Sequence, residues 1–289
     1  MKKMAGINEK VLEELLKEME KSNIKILSVE ESLDKIITQK KSVCRFGDGE
    51  LDVILGKSLG FQKSTPEISK RLLDVLTTEQ DFCFVGIPDA INNFDNITEE
   101  SKEFWVDNMS RVRKIWLKYL KPNRVYLTAN LTRLYIRYKD KSMCEKNFEK
   151  LKNIWKDRDV VICEGAQTRI GVGNDIMNGC KSIKRIICPS ENAFDKYDQI
   201  ITTLKKQKKD SLFLIALGPT ATLLAYEMAK NGYQALDVGH FDIEYEWFLR
   251  NSTKKENITN KYVYEVEGGN TTDDIEDEEY LKQIETIIK

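Results

Sequence analysis

The chain has 289 residues, in which Lys and Arg total 46 and Asp and Glu total 47, so its formal net charge is −1. This balance excludes a whole-protein nucleic-acid binder, because such proteins carry a basic excess or stripe. No apolar run approaches the ~20 residues that a membrane span needs, and the first residues lack the apolar core of a signal peptide. Because the six cysteines form no C-x-x-C pair, we expect reduced thiols in a soluble cytoplasmic protein.

The first segment, 1–40, alternates apolar and charged positions at helical spacing and predicts a helical N-terminal extension packed on the core. Beyond it, apolar runs typical of buried parallel strands occur at 42–46, 81–87, 124–129, 159–165, 183–189, 211–218 and 234–239. Amphipathic stretches that predict helices lie between them, at 101–120, 192–207 and 220–232. This alternation predicts an α/β fold, a Rossmann-like and mostly parallel sheet with helices on both faces.

The domain organisation follows from the same pattern. No internal repeat and no Pro/Ser-rich linker interrupts 41–267, so we predict one domain there. The last segment, 268–289, opens with two glycines and an acidic cluster and predicts a peripheral acidic tail. Ligands of parallel α/β sheets collect at the carboxyl ends of the strands, so the residues that follow each apolar run are the candidates for function.

The first candidate site is the turn RFGDGE (45–50) after the first of these strands. Asp48 and Glu50 are two positions apart, so in an extended backbone both carboxylates point toward one ligand, and Gly47 lets the ligand approach closely. Two hard oxygen donors suit Mn²⁺ or Mg²⁺ shared with a diphosphate. The alternative is a polar turn in which Asp48 caps the following helix.

A second candidate is the loop EGAQTRIGVGND (164–175), which follows an apolar strand and holds three glycines. Backbone N–H groups of such a loop can cradle phosphate, and Arg169 can add a forked contact. The loop matches neither the Walker A pattern nor G-x-G-x-x-G, so dinucleotide binding is not favoured. A plain strand-to-helix connection is the alternative.

A third candidate begins at Gly218, where a strand ends and Pro219 marks the first turn of a helix. The N–H groups and positive dipole of a helix start can hold an anion, and Thr220 can join them. Ordinary capping by Thr220 is the alternative.

The fourth candidate is His240, the only histidine in the chain, directly after another predicted strand. Acidic residues near an imidazole raise its pKa toward the range useful for proton transfer. Asp242, Glu244 and Glu246 share a face with His240 if the segment is extended, and Glu244 alone does so if it is helical. We expect a functional histidine, with a lone histidine packed at a strand end as the alternative.

A family resemblance joins these sites. It is carried by RFGDGE (45–50), TRLYIRYKDKS (132–142), ICEGAQTRIGVGND (162–175), KRIICPSENAF (184–194), LIALGPTATLLAYEMAKNGYQALDVGHFDIEYEW (214–247) and KYVYEV (261–266). These segments resemble the bacterial glycosyltransferases of the GT-D fold. The resemblance implies a Rossmann-like domain, a nucleotide-sugar donor, typically UDP-glucose, and a divalent metal bound through an Asp-x-Glu motif. Some relatives glucosylate the glycan of serine-rich-repeat adhesins.

The resemblance also implies roles for individual residues. It puts the metal motif on Asp48 and Glu50, and the functional His and Glu on His240 and Glu246, beside Asp242 and Glu244. The residues expected to bind the nucleotide sugar, from the resemblance and from the strand-end argument together, are Arg45, Gly47, Arg133, Glu164, Arg169, Gly171, Asn174, Gly218 and Thr220.

The expected function is a metal-dependent transfer, with Mn²⁺ or Mg²⁺, of a hexose such as glucose from a UDP-sugar to a hydroxyl of a glycan or glycoprotein. Such a reaction serves protein glycosylation or cell-surface polysaccharide synthesis, and other glycosyltransferases are candidate partners. Two alternatives stay open. A non-catalytic nucleotide-sugar-binding subunit shares the fold without needing the metal or His240, and an NAD-type oxidoreductase is disfavoured because G-x-G-x-x-G is missing.

Overall fold

The predicted apolar runs form the strands of one sheet in the computed structural model, which describes residues 7–270 and 272–289. The strands are β1 (Lys25–Ile26), β2 (Ser42–Arg45), β3 (Cys83–Ile87), β4 (Val125–Thr128), β5 (Asp159–Gly165), β6 (Ser182–Cys188), β7 (Leu212–Ala216), β8 (Gln234–Asp237) and β9 (Ile284–Ile287). They lie in the order β1-β4-β3-β2-β8-β7-β5-β6-β9, and all of these pairings are parallel. The Rossmann-like α/β prediction is confirmed.

Helices cover both faces of this sheet. They are α1 (Glu9–Met19), α2 (Val29–Gln39), α3 (Asp48–Ile54), α4 (Pro66–Thr77), α5 (Glu99–Tyr119), α6 (Cys144–Lys152), α7 (Tyr197–Leu204), α8 (Pro219–Lys230), α9 (Phe241–Leu249) and α10 (Glu278–Gln283). Strand β5 shows the two-sided burial, since Val161 and Cys163 lie in one hydrophobic core and Val160 and Ile162 in the other. Alternate side chains of a strand point to opposite faces, which is why its whole run is apolar. Within the described residues, no helix is both long enough and apolar enough to cross a bilayer.

The arrangement creates a ligand crevice at the centre of the sheet. Strands β2 and β8 are neighbours, with Val43 opposite Leu236. After β2 the chain enters α3, which packs Leu51 into one core, whereas after β8 it enters α9, which packs Phe241 into the other. Connections that leave adjacent strands toward opposite faces open a crevice at the carboxyl ends of those strands. The topology therefore brings the turn after β2 and the residue after β8 to one place.

Both ends of the chain differ from the prediction. The N-terminal segment supplies α1 and α2 as expected, but it also adds the edge strand β1, in which Lys25 pairs with Val125. The segment 268–289 is not wholly a peripheral tail, because β9 pairs with β6 and Ile288 is buried. The run Ile284 to Ile288 is rich in β-branched residues, which favour a strand.

Candidate functional site

Side chains join the ends of β2 and β8. Arg45 donates from Nε to the carbonyl oxygen of Asp237 at 2.8 Å and from Nη2 to Oδ1 of Asp237 at 2.8 Å. Thr222 donates to the carbonyl oxygen of Arg45. Gly239 has a φ of 49°, and a Cβ there would overlap the guanidinium group of Arg45. Arg45, which was predicted to bind a ligand, therefore links β2 to β8 and holds the turns that follow these strands in place.

The metal motif lies at the start of α3. Asp48 is the first residue of α3. Glu50 accepts a hydrogen bond from the Gly47 N–H at 2.7 Å, so Glu50, and not Asp48, caps the start of the helix. The argument from an extended backbone was wrong, because residues two apart on a helix point in different directions. Burial raises the pKa of Glu50 to about 7, and nearby Asp237 adds to the rise. Asp48 reaches solvent, but the protein crowded around it also raises its pKa.

These carboxylates fit a divalent cation only in part. Among residues 7–270 and 272–289, no group of three or more His, Cys, Asp or Glu side chains is arranged to hold a metal. Besides burial, Asp237 and Asp48 raise the pKa of Glu50, and Asp52 and Glu265 raise that of Asp48, a repulsion that a cation would relieve. Mg²⁺ is commonly held by one or two carboxylates with phosphate and water oxygens completing its shell. The donor set suits such a shared site.

His240 lies at the N-terminal end of α9, half-buried, and its protonation differs from the prediction. Burial, together with the positive charge of Arg133, lowers the pKa of His240 to about 4. The expected rise does not occur, because the ring is desolvated, Asp242, Glu244 and Glu246 are held by other partners, and the charge of Arg133 opposes protonation. His240 is therefore a neutral imidazole near pH 7.

Arg133 links His240 to the metal motif. Its Nη1 lies 3.7 Å from Glu244 of α9, the helix that begins after His240, and its positive charge acts to lower the pKa values of both Asp48 and His240. We call the region bounded by Asp48, Glu50, Arg133 and His240 the β2–β8 crevice, because β2 and β8 are neighbours and end there. That these side chains share one ligand site stays a prediction.

Two acids of α9 fasten other segments to the helix. Lys261 is buried, and its Nζ lies 2.7 Å from Oδ2 of Asp242 and 3.0 Å from Oε1 of Glu246. Asn174 donates to the same two carboxylates at 2.9 and 2.7 Å. Gly171 donates its N–H to Asp242 at 2.9 Å. These predicted catalytic acids and loop residues therefore form one buried polar cluster.

Glu244 is the third acid of α9 and is fully buried. Its Oε2 accepts hydrogen bonds from the N–H groups of Tyr135 and Ile136 at 2.9 and 3.0 Å, and its Oε1 lies 3.7 Å from Arg133. Glu244 thus positions the segment after β4, including Arg133, in place of the predicted contact with His240.

The predicted phosphate loop after β5 is bound to protein. Glu164 is buried, pairs with Arg185 at 2.6 Å and accepts a hydrogen bond from the Ile170 N–H at 2.7 Å. Arg169 has a left-handed backbone and donates to the carbonyl oxygens of Asn260 and Asp273 at 2.8 and 2.7 Å. The side chains expected to bind nucleotide instead tie the loop to the sheet and to the C-terminal segment, as in the alternative of a plain connection.

The start of α8 is also covered. Gly218 has a φ of 53°, and the ring of Phe61 occupies the space that a Cβ would take. Thr220 is fully buried and donates to Oε1 of Gln62 at 3.2 Å. The segment around Phe61 therefore packs over the helix start where an anion was expected.

Two site residues escaped the sequence reasoning. Glu265 contacts Arg133, and its Oε2 lies 2.5 Å from Nζ of Lys255. The charge of Glu265 also acts on His240 and Asp48. Both residues lie in an irregular segment after α9, where no strand end marks them. The one signal for Glu265 was the KYVYEV segment, which carried part of the family resemblance, and Lys255 lies outside the segments that carried it.

Comparisons with known proteins agree with this geometry. The family model for the glycosyltransferase GT-D fold matches residues 43–266. A probable glycosyl transferase, Gly, of Streptococcus gordonii is 37% identical over 273 residues, which cover 93% of this chain and 39% of that protein. Glycosyltransferase GlyD of Streptococcus pneumoniae is 37% identical over 262 residues, which cover 90% of this chain and 32% of that protein. The chain thus spans less than half the length of either relative.

Solved structures match over nearly their full length. One, described as domain of unknown function 1792 with a distinct glycosyltransferase fold, has a TM-score of 0.89 and 38% identity and covers 95% of this chain and 99% of that chain. Another, described as a new glycosyltransferase from Streptococcus sanguinis, has a TM-score of 0.88 and 36% identity, covering 92% of this chain and all of that chain (100%).

Proposed function

This chain belongs to the family of glycosyltransferases with the GT-D fold, and from that premise we propose that it transfers a hexose, glucose first among them, from a UDP-sugar to an acceptor hydroxyl. The observation that carries the proposal is the adjacency of β2 and β8, whose ends lead to Asp48 and His240, with Arg133 held nearby by Glu244 of α9. An acidic pair, a fixed cation and a neutral imidazole are the groups that such a transfer uses. The acceptor class, a glycan or glycoprotein, follows from the family resemblance.

The donor end of the crevice is the turn at α3. Asp48 and Glu50 would hold Mn²⁺ or Mg²⁺, which when bound neutralises charge on the diphosphate leaving group. Arg133 presents a second positive charge at the same place, and its fork suits phosphate oxygens. Glu244 and Glu265 keep that guanidinium group oriented from two sides.

The acceptor end of the crevice is His240. Because its pKa is about 4, the imidazole is unprotonated near pH 7 and can accept a hydrogen bond from the acceptor hydroxyl. Such a ring is a weak base, so it takes the proton late, once the forming bond to the sugar carbon has made the hydroxyl acidic. General-base assistance is typically worth about 10²–10⁴ in rate.

The test measures UDP released from UDP-glucose with a glycan acceptor, with and without Mn²⁺. We expect release that requires Mn²⁺, that falls about 10²–10⁴-fold in His240→Ala, and that loses its metal dependence in Asp48→Asn combined with Glu50→Gln. Binding of UDP without any turnover would favour the non-catalytic subunit. Equal turnover by wild type and His240→Ala would disprove the role of the histidine.

A further inference from the structure

Glu265 lies between two cationic side chains at the edge of the β2–β8 crevice. One of its oxygens contacts the guanidinium group of Arg133, and the other lies 2.5 Å from Nζ of Lys255. Its Oε1 is buried and, among the residues that the structure describes, has no hydrogen bond of good geometry. The carboxylate therefore pairs with two cations at once, while one of its oxygens lacks a well-aligned hydrogen bond.

The two cations are unequal. Arg133 has a second partner, since Glu244 lies 3.7 Å away and is almost wholly buried, so the guanidinium group keeps its place if Glu265 moves. Lys255 is 44% exposed, and its side chain can reach solvent or an incoming anion. Arg133 thus provides a fixed charge, whereas Lys255 provides a mobile one.

The backbone around Glu265 is anchored. Lys261, four residues before it, is buried against Asp242 and Glu246, and the Val263 N–H donates to the carbonyl oxygen of Gly269. A change of side-chain rotamer is therefore enough to withdraw the carboxylate, and the segment itself can stay in place.

We propose that Arg133 and Lys255 form the binding site for the diphosphate of the nucleotide donor, and that Glu265 competes with the diphosphate for these two cations. The inference rests on the proposed function, because it names how the same crevice recognises its donor. A diphosphate carries more negative charge than one carboxylate and offers more acceptor oxygens, so it displaces Glu265. Because the carboxylate of Glu265 competes for the same two cations, it lowers the net affinity of the site for the diphosphate and so eases release of the product.

The sign of one mutational effect separates this proposal from a structural role. Glu265→Gln removes the competing charge with little change of shape, and Glu267→Gln, an exposed acid two residues away, makes the same change of net charge. We would titrate the full chain without metal, using inorganic pyrophosphate and UDP in a calorimeter. We expect Glu265→Gln to bind pyrophosphate about three- to tenfold more tightly than wild type or Glu267→Gln. Equal or weaker binding overturns the proposal, because a residue that merely orients Arg133 would weaken binding when lost.

Lys255→Met is the second variant and keeps the test decisive if Glu265→Gln does not fold. We expect it to bind pyrophosphate about three- to tenfold more weakly than wild type, and unchanged affinity overturns the proposal. The proposed function fails separately. If Glu265→Gln binds pyrophosphate more tightly but wild type does not turn over UDP-glucose, the anion site stands and the proposed function fails. If wild type turns over UDP-glucose but Glu265→Gln binds pyrophosphate no more tightly, the proposed function stands and the role of Glu265 as a competitor fails.

Discussion

Lys261 offers the sharpest test of how the fold supports the crevice. Its ammonium group is 3% exposed and lies 2.7 and 3.0 Å from two buried carboxylates, those of Asp242 and Glu246. Lys261→Met leaves Asp242 without its cation and leaves Glu246 only the exposed Arg250, 3.6 Å away, and removing one partner of a buried ion pair costs about 3–5 kcal/mol. Asn174 still donates to both carboxylates, so we expect the lower end, about 3 kcal/mol of unfolding free energy. At about 2–3 °C per kcal/mol, the melting temperature falls by about 6–9 °C.

The assay is urea unfolding followed by circular dichroism, with Lys70→Met as the matched control. Lys70 forms an exposed pair with Asp74 one helical turn away, and its loss costs at most about 0.5 kcal/mol. A loss no larger than that of the control would refute the reasoning.

The remaining predictions concern the loops and the histidine. Arg169→Ala should lower the free energy of unfolding by about 1–3 kcal/mol, because the buried guanidinium group donates two hydrogen bonds, to the carbonyl oxygens of Asn260 and Asp273, that are lost, and it should leave the KM for UDP-glucose unchanged in the UDP-release assay. Gly218→Ala should cost about 1–3 kcal/mol in urea unfolding, since φ is 53° and Phe61 must move, whereas Gly56→Ala, with φ 83° but open space, should cost less. Because the pKa of His240 is about 4, the ratio of kcat/KM for wild type to that for His240→Ala should stay flat through pH 6.5 and fall only as pH approaches 4, whereas titration of Glu50, whose pKa is about 7, affects both proteins alike. An inflection near 6.5 that disappears in His240→Ala would contradict that lowered pKa.

The sequence was a good guide to the sheet because buried parallel strands are apolar on both faces. Strand β5 was predicted at the residues where it forms, and the start of α8 was placed correctly by Pro219. The short strands β1 and β9 were missed. Each adds to an edge of the sheet, where half of the side chains stay exposed and the apolar pattern is weak.

The sequence was a better guide to the place of the candidate site in the fold than to the contacts of its individual side chains. The rule that ligands meet strand ends put Asp48 and His240 at one edge of the sheet, and β2 and β8, which precede them, are neighbours there. The rule could not show which strand-end residues face the crevice. Arg169 and Asn174, for example, donate hydrogen bonds to residues far away in the sequence. The predicted rise in the pKa of His240 was wrong for a similar reason. Burial lowers this pKa, and the charges of Arg133 and Arg45, which add to the effect, come from positions distant along the chain.

The segment after α9 does two jobs in one stretch of irregular backbone. Lys261 fixes it to the helix that begins next to His240, and four residues later Glu265 reaches Arg133. A fixed attachment beside a movable charged side chain is what our proposal of anion exchange at Glu265 requires. The acids of α9 are buried and paired and hold the frame in place, whereas Asp48 and Lys255 are exposed, and we propose that these two meet the donor.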